Sequence, residues 1–243
     1  EGLRRILNKP LKDPLEETLE NLVDELSEIV KKRYLGVTGS LLARIHNPKV
    51  SDIDVVVYGE KSIIKVKESI INLSIDIQRL PQKYIKRYAL EIAENRGLPY
   101  SVVVKSLLRR WNRVMYKGKL LSLMPVKLYS EVKNEYGSYT VTNMGIIELT
   151  GVNVYTPEQL YYPTKYILNN VKVIHGPLKV QNAKIDSIEV ISYEHMFLDV
   201  IGDCEKVYVK GLLQEVKFRD GEVKFRVLIG VREVPNGGFI NIL

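Results

Sequence analysis

Apolar residues recur at helical spacing over the first thirty positions: Leu15, Leu19, Leu22, Val23, Leu26, Ile29 and Val30. Asp13-Pro14 precedes them, offering an N-cap carboxylate and a proline for the first turn, so the pattern predicts a first helix. Its acids (Asp13, Glu16, Glu17, Glu20) come early and Lys31, Lys32 and Arg33 come late, which complements a helix dipole without calling for a ligand. Tyr34 to Thr38 reads as a short strand broken at Gly39-Ser40, with a short helical segment from Leu41 to Arg44. A loop from Ile45 to Ser51 leads to Asp52–Tyr58, whose Val55-Val56-Val57 run reads as a buried strand. Lys61 to Ile71 predicts a helix, and Leu73 to Gln78 alternates as a third strand.

Two further helices are expected over Gln82–Asn95 and Pro99–Asn112. Beyond Arg113 the pattern turns to β. Val114–Tyr116 and Leu120–Val126 flank Lys117-Gly118-Lys119 as a hairpin, Tyr139–Val154 is strand-like, and Lys206–Phe218 and Val223–Val231 alternate about Asp220-Gly221. Short strands parted by glycine-containing turns suggest a small OB-like barrel. The reading is an α+β protein with an N-terminal mixed sheet and helices over 1–112, then a β-rich region over 113–243 that divides near 180.

The chemistry sits in the first half. Residues i and i+2 of a strand share a face, so Asp52 and Asp54 project side by side while Ile53, Val55 and Val57 face the other way. Two like charges about 6 Å apart at an effective dielectric near 20 repel by roughly 3 kcal/mol. A divalent cation such as Mg²⁺ (or Mn²⁺), which takes oxygen ligands from carboxylates and phosphates, would offset that. Alternation also puts Ser74, Asp76 and Gln78 on one face, so Asp76 joins the pair if the two strands are neighbours; Glu91 and Glu94 are the rival third acids. Glycine lets backbone approach a polyphosphate and Ser40 adds a hydroxyl, which marks Gly39-Ser40 as a nucleotide-binding turn.

Gly39-Ser40, followed after eleven residues by Asp52-Ile53-Asp54-Val55 with Ser51 just ahead of it, resemble the signature of the polymerase-β-like nucleotidyltransferase superfamily, archaeal-type members included. The resemblance covers Leu35 to Ile77. It implies that Gly39 and Ser40 hold nucleotide phosphates, that Asp52 and Asp54 ligate catalytic metals, and that Asp76 takes the third-carboxylate position. It also implies two-metal transfer of a nucleoside monophosphate from an NTP to a hydroxyl, with pyrophosphate released.

Charge suggests the acceptor. The net charge is +7, and Asn95 to Ser130 alone carries eight basic residues and no acid, among them Lys105, Arg109, Arg110 and Arg113. Such a stretch is either a solvated face or a track for a phosphate backbone, which makes RNA the expected partner. Tyr155, Tyr161, Tyr162 and Tyr166 lie close together beside Lys165 and either stack bases or fill the core. The alternatives are a non-catalytic nucleic-acid-binding protein that keeps the fold, or a transferase acting on a small molecule or a protein.

Other classes are excluded more firmly. The sequence has no Gly-x-x-x-x-Gly-Lys-Ser/Thr loop, no His-Glu-x-x-His helix and no Gly-x-Ser-x-Gly elbow. The single Cys204 cannot form an internal disulfide, and no apolar run is long enough to span a bilayer, so a cytoplasmic location is expected. Scarce Gln and Cys beside abundant Lys, Glu, Ile and Val fit a thermophile.

Overall fold

The computed structural model describes residues 1–132, 137–181 and 185–243. The chain divides into two compact units, Glu1–Pro81 with Trp111–Val132, and Gln82–Arg110 with Lys133–Leu243.

The first unit opens with helices α1 (Gly2–Leu7) and α2 (Pro14–Ser27). Asp13 caps α2 through a reciprocal box: its Oδ1 accepts the N–H groups of Leu15 and Glu16 at 2.8 and 3.1 Å, and Glu16 accepts the Asp13 N–H at 3.2 Å. Leu15, Leu19, Leu22, Val23 and Leu26 are fully buried, which accounts for the helical period of the sequence. Strand β1 (Leu35–Val37), the short helix α3 (Gly39–Ala43), strand β2 (Ile53–Tyr58) and helix α4 (Glu60–Ile71) follow, and then the two-residue strand β3 (Ile77–Gln78). Helices α5 (Gln82–Arg96) and α6 (Tyr100–Arg109) belong to the second unit, after which the chain returns to the first as strands β4 (Arg113–Tyr116) and β5 (Lys119–Val126).

The sheet order is β1-β2-β5-β4-β3, with β2 and β5 parallel and the other neighbours antiparallel. Lys117 and Gly118 both have positive φ, 43° and 75°, as a tight two-residue hairpin requires. That hairpin inserts β5 and β4 between β2 and β3. The first unit's sheet therefore runs past the boundary expected at residue 112, and the third strand is shorter and further from β2 than its alternation suggested.

In the second unit, α5 and α6 accompany six strands: β6 (Tyr139–Val154), β7 (Thr164–His175), β8 (Ser187–Ser192), β9 (Lys206–Phe218), β10 (Val223–Ile229) and β11 (Phe239–Ile242); a one-turn helix α7 (Leu178–Gln181) lies between β7 and β8. Pairing runs β6-β7-β8-β10-β9 and closes because β9 also pairs with β6. The β8–β10 pair is parallel and the rest are antiparallel. This closed five-stranded ring is the expected OB-like barrel, with β11 added along β9. The ring is continuous across residue 180, so the further division expected there is not seen. Tyr166, Ile188, Val209 and Val227 are among its fully buried residues. No helix among the described residues is long and apolar enough to cross a membrane.

Candidate functional site

Asp54 lies at the start of β2, and Asp52 just precedes it; both are partly buried, while Ile53, Val55 and Val57 are buried on the opposite face. The Gly39 turn comes directly against this pair. The Thr38 N–H donates to the Asp54 carbonyl at 3.0 Å, and Gly39 has φ +63°. A Cβ at Gly39 would stand 2.2 Å from Asp54 Oδ2, closer than any side chain can be tolerated. Glycine is thus required twice over, by left-handed backbone and by the carboxylate. Ser40 follows in the first turn of α3. Gly39, Ser40, Asp52 and Asp54 are brought together.

Burial pushes the Asp54 carboxyl above the usual carboxylate range, and the Asp52 charge pushes in the same direction. A hydrogen bond with Ser122 and the charge of Arg113 act oppositely. The sheet explains these two neighbours. Asp54 is level with Ser122 on β5, and Ser122 is level with Arg113 on β4, so all three share a face.

Asp76 does not join them. It is exposed, just before β3, and its N–H donates to Glu25 Oε2 at 3.4 Å. Three strand spacings, roughly 14 Å, separate β3 from β2. Glu25 also accepts the Tyr116 hydroxyl at 2.6 Å, and burial, joined by this carboxylate, drives the Tyr116 pKa strongly upward. Asp76 therefore belongs to a cluster at the far edge of the sheet. Glu91 and Glu94 are on α5, in the second unit.

Asp13, Glu16 and His46 form a second group whose ligand atoms lie within 4.8 Å of one another. Its members already have partners: His46 Nε2 is 2.6 Å from Asp13 Oδ2, and Lys9 Nζ is 2.7 and 2.8 Å from the two Glu16 oxygens. The group ties the loop between α3 and β2 to the start of α2.

The basic stretch is shared between the two units. Arg113 is in the first unit, level with Asp54's neighbour Ser122, whereas Lys105, Arg109 and Arg110 are in the second. Lys105 Nζ donates to the Ile242 carbonyl at 2.9 Å, and Arg109 pairs with Glu205 at 2.5 Å. Tyr161 and Tyr166 are core residues, 5% and 0% exposed, while Tyr155 and Tyr162 are on the surface. Tyr162 stacks on His195 with ring centres 4.0 Å apart and meets Tyr193 edge-on. Burial and the nearby Arg110 charge hold His195 below its usual pKa.

An uncharacterized protein of Methanocaldococcus jannaschii is similar to this chain, 25% identical over 215 residues. The alignment takes in 86% of this chain and 59% of that protein, so the chain spans a little over half of its relative's length. No family model and no solved structure matches the chain.

Proposed function

We propose that the first unit carries a metal-dependent nucleotidyltransferase site that moves a nucleoside monophosphate from an NTP to a hydroxyl. The observation that carries this reading is the contact of the Gly39 turn with Asp54, which sets a turn suited to phosphates against a carboxylate pair. The donor set is all oxygen, and burial first and the Asp52 charge second make ionised Asp54 costly, a cost that a cation relieves. Asp52 and Asp54 would hold Mg²⁺, with Ser122 fixing the Asp54 carboxylate; bound there, the cation would neutralise phosphate charge and acidify the acceptor hydroxyl. Gly39 gives room for the phosphates and Ser40 offers a hydroxyl to them. Arg113 places a fixed positive charge beside Asp54, where the triphosphate's negative charge would gather. Two carboxylates and one guanidinium balance one divalent ion better than two.

RNA is the acceptor favoured by the barrel and by the exposed Tyr162, His195 and Tyr193 rings near Arg110. A second reading has its own observation. Ser122 and Arg113 stand where a third carboxylate beside Asp54 would be, which suits binding of nucleotide or RNA without transfer. Incubation with α-labelled NTP, Mg²⁺ and mixed RNA, using wild type, Asp52→Ala and Asp54→Ala, separates the two. Label in RNA that disappears in both variants supports transfer. Pyrophosphate release that needs no polymer points to a small-molecule acceptor, and RNA binding unchanged in both variants with no incorporation supports the binding module.

A further inference from the structure

The other end of β2 opens on a cavity that the proposed transfer does not use. Its volume is about 560 Å³, within the range of small-molecule sites, and it lies wholly in the first unit. Lys31, Arg33, Lys61 and Lys65 supply positive charge; Val30, Tyr34 and Leu128 are among its apolar and aromatic walls. Five residues of strand, roughly 16 Å, separate Gly59 at this end from Asp54 at the other.

Among the described residues these cations have little structural employment. Lys31 and Arg33 come late in the sequence pattern of α2, yet the helix ends at Ser27 with no basic residue in its last turn, so the dipole does not account for them. Among the described residues, Lys31, Lys61 and Lys65 have no ion-pair partner, and all three are exposed. Among the described residues Arg33 meets only the Tyr34 hydroxyl, at 3.2 Å, and lies 5.0 Å from that ring's centre. Of the two acids in the lining, Glu131 is committed to backbone: it accepts the N–H of Glu60, the first residue of α4, at 3.0 Å and that of Leu128 at 2.9 Å. Four cations thus converge on a concave, partly apolar space with only Glu60 left to oppose them.

We propose that this cavity binds a small phosphate-bearing molecule whose remainder is apolar or aromatic. The phosphate dianion is met by the three lysines and the forked guanidinium of Arg33, and the apolar part lies against Val30, Tyr34 and Leu128.

The test is calorimetric titration of the full chain, in chelator and low salt, with phenyl phosphate, inorganic phosphate and phenol. Phenyl phosphate is expected to bind more tightly than inorganic phosphate, and phenol not to bind. Lys61→Gln combined with Lys65→Gln, both surface changes, is expected to weaken phenyl phosphate at least about tenfold, the loss of one to two charge-assisted contacts. Asp54→Ala is expected to leave its affinity unchanged. Absence of binding by wild type at millimolar ligand overturns the proposal. So does equal binding by the lysine variant with unchanged circular dichroism, or loss of binding in Asp54→Ala. The first two outcomes leave the transfer reaction, read by label incorporation, untouched, and the third would move the ligand to the Asp54 site.

Discussion

Gly39 and Asp54 meet at a distance that leaves no room for a methyl group. Gly39→Ala must therefore shift the turn or rotate the carboxylate, and it also forces a side chain into φ +63°. A loss of about 1–3 kcal/mol in urea unfolding is expected, together with loss of Mg²⁺-dependent incorporation. Asp54 itself trades stability for charge. Its folded pKa is raised, first by burial and then by Asp52, so its favourable contribution is complete below the unfolded pKa near 4 and is lost as pH rises through the folded value. Asp54→Asn carries no such loss. In chelator the variant should unfold at higher urea than wild type at pH 7, with the gap closing by pH 4. A gap that is equal at both pH values would refute the assigned cost of ionising Asp54.

At the scale of elements, the first turn of α2 does two tasks. Asp13 caps the helix and holds His46, so it fixes both a helix start and the loop that delivers Asp52 to β2. Burial alone would raise the Asp13 pKa, but the His46 bond and the N–H groups of Glu16 and Leu15 outweigh it and the net shift is downward. A depressed acid stabilises above its unfolded pKa, and that contribution fades as pH falls through the folded value. Asp13→Ala should cost about 1 kcal/mol near neutral pH, the usual worth of a cap, and progressively less in acid; thermal melts at pH 7 and pH 3 would measure it. The sequence displayed this cap openly, because Asp-Pro ahead of a period of 3.6 is a local signal. It displayed β3 poorly. Ser74 to Asp76 alternate like a strand, but Leu73 adopts φ 51° where α4 ends, and only Ile77 and Gln78 find a partner on β4.

For the molecule as a whole, the crossing of the chain between units matters most. Residues 82–110 leave the first unit and 111–132 return to it, placing β5 between β2 and β4. A fragment ending at Asn112 would lack both strands. It would leave one edge of β2 unpaired, beside the buried Ile53, Val55 and Val57. Such a fragment is expected to be unfolded or aggregated by circular dichroism and gel filtration, whereas a linear boundary at 112 would yield a folded domain.

Local chemistry was readable from the chain because it depends on near neighbours. The Gly39-Ser40 turn, the same-face carboxylates of Asp52 and Asp54, the amphipathic α2 and the Lys117-Gly118 hairpin all follow from backbone sterics and side-chain period. The hairpin even sets the Arg113–Ser122 pairing, since each strand counts back from the same turn. Which strand lies beside β2 is a different kind of question, settled by how buried faces close on one another over sixty residues. Parallel pairing of β5 with β2 put Ser122 and Arg113 next to Asp54 and sent Asp76 to the far edge. The same folding left Lys31 and Arg33 outside their helix and gathered them with Lys61 and Lys65 around one cavity, a grouping that no spacing in the sequence encodes.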